Sequence, residues 1–358
     1  MRIRLIGQRN TSGIGTHYAC FADALRQIHG IGSVVDEVDF QNPSAIDQAI
    51  ATSQDDDVNI CFVAMPIHGH FRGRNIQWIV FESTRIPETI RPAIQGADQV
   101  WVPSAWGHSV LTAHGIDADR IRIVPEGVDG ARFHAHGRRP RTAARPFRFL
   151  TVGKYEQRKG IDLTIEAFAQ VYANQPQAEL VIKSNYFTNH REKHAVLQGK
   201  ISDLGLNNVT LLWGEMTEIQ LANLYRACDA FVLPTRAEGW CLPLIEAVAA
   251  GLPIITTMHS GHTEFLQHVY DSVLTVTHAM ARIDCAEYCL YYPDSMNDWG
   301  TWAQPDVASI TTCMQQALQQ EHSLYDYAQR NSAIIRQRFS WSQSAEQALQ
   351  ALCDQGWL

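Results

Sequence analysis

The chain lacks several features that would settle its class at once. Its eight cysteines include no CxxC pair, which removes the commonest zinc and thiol-redox motifs, and no secretory signal precedes them. A reducing, cytoplasmic setting is therefore expected. Cys285 and Cys289 have the nearest thing to a metal spacing, since one helical turn would bring the thiols to one side, but two ordinary buried cysteines account for them as well. No apolar run approaches the roughly 20 residues of a membrane-spanning helix. Contact with the inner face of a membrane from outside the bilayer is left open. Positive charge is scarce too: 29 Lys and Arg against 37 Asp and Glu give a net charge of -8, with no basic footprint for a nucleic-acid partner.

What is present suits globular folding. In 358 residues, 46% are hydrophobic and 18% charged, enough apolar content for two cores but too long a chain for one ordinary core. Ile3 to Ile6 reads as a buried strand, followed by the turn-rich Arg9 to Gly15 and a helix with Tyr18, Ala22 and Leu25 on one face. Further strands are expected at Val58 to Ala64, Ile76 to Phe81, Gln99 to Val102 and Ile121 to Val124. A second series starts at Phe147 to Val152 and continues at Glu179 to Lys183, Val209 to Leu212, Ala230 to Pro234 and Pro253 to Thr256. Strands alternating with helices imply parallel sheets covered on both faces, so the fold class is α/β. The Arg-rich stretch Gly127 to Arg148 reads as a solvated linker, giving domains at 1–145 and 146–327. A helical segment at 328–358, expected to cross back to the N-terminal domain, is interrupted by a break or new cap at Phe339 to Ser342.

The stretch Ala230 to Pro253 is the most informative. A buried strand runs into a loop, Pro243 occupies the first turn of a helix, and Gly251 stops that helix. Glu238 to Leu242 thus lies at a helix N-terminus, where unpaired amides favour an anion and Gly239 permits close approach. Glu238 in the loop and Glu246 in the helix are suited to sugar or ribose hydroxyls. Taken singly, Glu238 reads as a loop cap and Glu246 as a solvated helix residue. The second basic element, Val152 to Asp162, tips the balance: Lys154, Arg158 and Lys159 concentrate charge beside glycines, as a diphosphate requires.

These motifs resemble, in order, those of the retaining glycosyltransferases of family 4, which have the GT-B fold of two facing Rossmann-like domains with an interdomain cleft. The resemblance runs from Gly13 to about Trp341 and rests on seven elements. They are Gly13 to Gly15, Val102 to Ser104, Val124 to Asp129, Gly153 to Gly160, the Glu238 and Glu246 pair, Gly251 to Pro253, and Arg338 to Trp341. It implies that Glu246 binds the donor ribose and Glu238 the transferred sugar, with the amides of Gly239, Trp240, Cys241 and Leu242 holding sugar and phosphate. Lys154 and Lys159 fall where the family places two cations on the diphosphate, Arg158 stands between them, and Gly15 approaches the phosphate from the other domain. No metal and no cofactor beyond the nucleotide-sugar donor is implied.

Two positions depart from the family pattern. Lys154 replaces the commoner arginine, and Glu82 stands where many members have a histidine. Glu82 either takes over that role, shifts donor preference or caps the next helix. The sequence leaves open the nucleotide base, the sugar and the acceptor, whether saccharide, lipid-linked glycan, protein or small molecule. The acceptor loops are expected at Met65 to Arg74 and Arg85 to Ile94. A non-catalytic nucleotide-sugar-binding protein and a nucleotide-sugar epimerase of the same fold are the competing readings. His68, His70, His259 and His262 read as loop histidines rather than metal ligands, and His17 as a substrate contact.

Overall fold

The computed structural model describes residues 1–64, 70–185, 190–293 and 297–358. In chain order the strands are β1 (Ile3–Gly7), β2 (Val35–Asp39), β3 (Val58–Cys61), β4 (Arg74–Trp78), β5 (Gln99–Val102), β6 (Ile121–Ile123), β7 (Phe147–Lys154), β8 (Ala178–Asn185), β9 (Val209–Trp213), β10 (Ala230–Leu233), β11 (Ile254–Thr257), β12 (Val273–Val276), β13 (His278–Arg282) and β14 (Thr301–Pro305). The helices are α1 (Gly13–Gln27), α2 (Pro43–Ala51), α3 (Arg91–Gly96), α4 (Ala105–Ala113), α5 (Ile161–Tyr172), α6 (His190–Asp203), α7 (Glu218–Ala227), α8 (Leu242–Ala249), α9 (Thr263–Leu266), α10 (Ala286–Tyr291), α11 (Val307–Gln319), α12 (Glu321–Arg338) and α13 (Trp341–Cys353).

The chain divides into two compact units. The first comprises Met1–Gly127, Ala286–Gly300 and Phe339–Leu358; the second comprises Val128–Cys285 and Thr301–Arg338. The division therefore falls at Gly127 rather than 145, and among the C-terminal helices only α13 joins the first unit. Ser340 is the new cap that starts α13 after α12 ends at Arg338: its Oγ accepts the Gln343 amide at 3.2 Å. Within the first unit α13 packs on α1. A Cβ on Gly127 would fall 2.4 Å from the Trp341 backbone nitrogen, so only glycine fits there.

Each unit is built on a six-stranded parallel sheet. In the first the order is β2-β1-β3-β4-β5-β6, and in the second β12-β11-β10-β7-β8-β9. Both are doubly wound, and their order reverses at one place: beside β1 and β3 in the first unit, between β7 and β10 in the second. Ligands of open α/β sheets bind at such switch points, beyond the carboxyl ends of the strands. The loops that leave β7 and β10, which carry the sequence's basic and acidic motifs, therefore issue side by side.

The stretch read as a solvated linker is anchored instead. Arg138 donates to the carbonyls of Gly251, Cys228 and Asp229. Arg145 grips the Asp229 carboxylate at 2.6 and 2.7 Å, and Arg141 pairs with Glu321 at 2.8 Å. Each finds an acceptor within the second unit, which is why this segment belongs to that unit.

Candidate functional site

The second unit's switch point assembles the site from two loops. After β7 the chain turns at Gly160, whose φ of 69° is left-handed and whose missing Cβ would otherwise lie 2.3 Å from the Pro234 carbonyl. That contact presses the basic loop against the start of the β10 loop. The Lys159 side chain is buried there, with Nζ 2.9 Å from Glu238 Oε2. Arg158 Nη1 lies 2.9 Å from the same Oε2 and also 2.9 Å from the Ala237 carbonyl. Thr235 Oγ1 donates to Glu238 Oε1 at 2.8 Å. Burial alone would push the Glu238 carboxyl up, but Arg158 and Lys159 outweigh it and bring it down to about 2. Burial likewise works against the Lys159 charge, and Glu238 prevails, raising the ammonium above its ordinary value. Lys154 is half-buried and lies 3.8 Å from Glu156 Oε1.

A third loop braces the second. Ser260, in the left-handed region at φ 73°, accepts the Glu238 amide at 2.8 Å, and the Gly261 amide donates to the Glu238 carbonyl at 2.8 Å. A Cβ on Gly261 would overlap the Gly239 carbonyl. His262 is buried in this support, its Nε2 bonded to the Thr257 carbonyl at 2.6 Å; His259 is half-buried beside His278.

The loop ends in α8, as Pro243 and Gly251 imply. Cys241 caps the helix with φ 85° and no side-chain cap bond, an unusual conformation for a residue with a Cβ, of the kind found at functional sites. Among the described residues the amides of Gly239, Cys241 and Leu242 donate to no protein acceptor, so the helix N-terminus offers its donors to an anion. The Trp240 ring is buried against Phe265 at 5.0 Å. One turn into α8, Glu246 is half-buried rather than solvated. Its Oε2 lies 3.0 Å from Tyr225 Oη, and burial pushes its carboxyl up to about 8 against the lowering effect of that hydrogen bond.

The remaining sequence candidates lie in the first unit. The Gly15 amide is spent on Ser12 Oγ at 3.0 Å, so an anion approaching the start of α1 would meet Gly13 and Ile14 instead. Glu82 lies half-buried in the loop after β4, and it caps no helix: the next helical turn begins after Pro87 with no side-chain cap. Residues 65–69 of the expected acceptor loop, His68 included, lie outside the described residues, and His70 is exposed. Among the described residues no cluster of three or more His, Cys, Asp or Glu side chains is arranged for a metal ion, and Cys285 and Cys289 form no disulfide.

His17 is not a surface contact. It is buried at the switch point of the first sheet, edge-on to Trp78 and Phe62 and stacked on Trp341 at 5.7 Å. Its Nδ1 is 3.6 Å from Oε1 of buried Glu126, too long for a charge-assisted hydrogen bond. Burial therefore keeps both neutral, lowering His17 to about 3 and pushing Glu126 up to about 8. In the folded protein Glu126 keeps its proton above the pH at which the unfolded chain loses it, so its contribution to stability falls as pH rises from about 4.5 to 8. His17 acts oppositely, losing stability as pH falls from about 6.5 to 3. Glu126→Gln should remove the first effect, so that its stability relative to wild type is about 3 to 4 kcal/mol more favourable at pH 8 than at pH 5. Thermal melts at the two pH values check this; an equal difference at both would show that Glu126 is ionised in the fold.

Comparison with known proteins bears on the second unit most directly. Residues 137–287 match the family model described as glycosyl transferases group 1. The chain is 29% identical over 161 residues to a mannosylfructose-phosphate synthase of Agrobacterium fabrum, covering 42% of this chain and 36% of that protein. It is 28% identical over 220 residues to a glycogen synthase of Mycobacterium tuberculosis, covering 60% of this chain and 50% of that protein. The chain thus spans no more than half the length of these relatives. Among solved structures, the Anabaena protein HepE in complex with UDP and glucose superposes with a TM-score of 0.73 at 15% identity, over 99% of both chains. The sucrose-phosphate synthase of Thermosynechococcus elongatus gives 0.71 at 17%, again over 99% of both. At such identities the likeness establishes the fold. The match to the group 1 glycosyl transferases is thus carried by residues 137–287, and the chain as a whole has the two-sheet GT-B fold of these structures.

Proposed function

We propose that this chain is a retaining glycosyltransferase that moves a hexose-type sugar from a nucleoside diphosphate sugar to an acceptor hydroxyl without a metal ion. One observation carries the reading: two cations and a carboxylate are buried together at the sheet's switch point, against a helix N-terminus with unused amides. Glu238 offsets the burial that works against the Lys159 charge and pairs with Arg158 as well. A diphosphate entering beside α8 competes with Glu238 for those cations. The amides of Gly239, Cys241 and Leu242 take its oxygens, and Glu246 takes the ribose hydroxyls.

In the transfer step the bond between the sugar and the diphosphate oxygen breaks while the acceptor oxygen attacks from the same face. The acceptor proton passes to the departing phosphate oxygen, so configuration is retained and no protein nucleophile is needed. Lys159 and the α8 amides stabilise the negative charge that develops. UDP is the first nucleotide to try, since the HepE structure contains it, and a saccharide is the first acceptor class. A membrane-bound acceptor does not require a spanning helix here; no described helix is long and apolar enough to cross a membrane.

The test is a thermal-shift screen against nucleoside diphosphates and their sugars, with Glu246→Ala as control. A ligand at 100 times its Kd should stabilise the fold by about 2.7 kcal/mol. A shift with one nucleotide family, lost in the variant and followed by acceptor-dependent release of nucleoside diphosphate in the presence of chelator, supports the reading. Binding without release would make the protein a nucleotide-sugar-binding module, and no shift with any nucleotide would remove the donor site altogether.

A further inference from the structure

Tyr225 Oη lies 3.0 Å from Glu246 Oε2 and 3.0 Å from the Pro243 carbonyl oxygen. A phenol has one hydrogen. If Glu246 were ionised, two acceptors would compete for it; if the carboxyl carries a proton, it donates to Tyr225 Oη, which donates onward to Pro243, and every group is satisfied. The tyrosine cannot swing away to relieve the conflict, because its ring is fully buried between Phe133 at 5.8 Å and Phe231 at 5.8 Å. Vicinal ribose hydroxyls, by contrast, are donors and bind best to a carboxylate.

We infer that Glu246 and Tyr225 form a proton-exchanging pair, in which the carboxyl is protonated while the site is empty and gives its proton to solvent when the donor's ribose hydroxyls arrive. Tyr225 is then the positioning residue: on ionisation its hydroxyl turns from Pro243 to Glu246 Oε2 and holds the carboxylate toward the ligand. This rests on the assignment of Glu246 to the ribose.

The surroundings leave this exchange to the pair alone. Burial pushes the Cys241 thiol at the start of α8 up to about 12, so it is neutral. On α7, Arg226 reaches the Arg132 carbonyl and Asn223 Oδ1. His134, next to Phe133, is lowered by burial and by Arg226, and Arg336 on α12 reaches the Gly130 carbonyl. The flanking strands β10 and β11 contain no ionisable side chain. Among the described residues no cation pairs with Glu246.

The experiment measures the affinity of UDP, GDP and ADP from pH 6.5 to 9 by calorimetry in buffers of unlike ionisation enthalpy, using the whole chain. For the nucleotide that binds, affinity should rise about fivefold from pH 7 to 8 and level off by about pH 9, with close to one proton released at pH 7. In Glu246→Gln the rise should vanish. In Tyr225→Phe, which keeps the buried ring, the rise should move to higher pH because the carboxylate has lost a donor. Tight binding that is flat with pH overturns the proton exchange and leaves the ribose assignment standing. A rise that persists unchanged in Glu246→Gln overturns it as well, and absence of binding at every pH overturns both.

Discussion

Replacing Lys159 by alanine should lower the transfer rate about 10²- to 10³-fold, equivalent to about 3 to 4 kcal/mol of transition-state stabilisation, while weakening nucleotide binding much less. The asymmetry follows from the geometry. The Lys159 ammonium is already held by Glu238 at 2.8 to 2.9 Å on both carboxylate oxygens. A ground-state diphosphate must draw it away from that partner, so the net gain on binding is small. As the sugar bond breaks, charge builds on the leaving oxygen and the same cation is worth more. Arg158 does not substitute, because its guanidinium is shared among Glu238, the Glu156 carboxylate and the Ala237 carbonyl. Initial-rate kinetics and nucleotide titration on the same variant separate the two effects. An unchanged kcat would remove Lys159 from the chemistry. Glu238→Gln provides a check of opposite character: with the competing charge gone, nucleoside diphosphate should bind more tightly even as transfer falls.

How much of this was legible beforehand depends on the kind of signal. The ten strands expected from apolar runs all exist; eight of them are central strands of covered parallel sheets, which are apolar on both faces, and β6 and β9 are edges. β2 escaped notice because Asp36, Glu37 and Asp39 give it the look of a loop; it is an edge strand with only Val38 buried. β12 is likewise an edge strand, and β13 and β14 pair across 18 intervening residues with no turn signal to announce it. The candidate site residues rest on helix-terminus chemistry, charge and the family resemblance, and the family model covers the stretch that holds the donor-side candidates. Their pairing was not. Sequence reading assigned Lys159 to phosphate and Glu238 to sugar separately, whereas the two are bonded across 79 residues through adjacent strands. The Glu246–Tyr225 contact and the burial of His17 against Trp341 are of the same long-range kind, set by packing that local patterns do not encode.

The arginines of the supposed linker show how far such a misreading can matter for the site. Arg138 joins three carbonyls: that of Gly251, where α8 ends, and those of Cys228 and Asp229, where β10 begins. It thereby ties the far end of the helix that presents Glu246 to the strand that presents Glu238. Tyr325 completes the arrangement, its hydroxyl donating to the Arg138 carbonyl at 2.9 Å and its ring lying under the guanidinium at 5.1 Å. Among the described residues no carboxylate pairs with Arg138 directly; Asp229 is taken by Arg145, and burial lowers the Arg138 guanidinium. The pin therefore works through its hydrogen bonds, and its removal leaves carbonyls in a space too enclosed for water to serve them all. At about 1 to 3 kcal/mol for each acceptor left unpaired, with water reaching some of them, Arg138→Ala should cost about 3 to 5 kcal/mol. In a unit of this size that lowers Tm by about 10 °C. Arg138→Lys, a point donor in place of a planar fork, should recover less than half of the loss. A melt of Arg138→Ala within about 2 °C of wild type would mean that water replaces the guanidinium at all three carbonyls and that the segment is, after all, a solvated connection. The expected result carries a further consequence for binding: nucleotide affinity should fall along with stability, because β10 and α8 hold Glu238 and Glu246 in register only while their opposite ends are fixed.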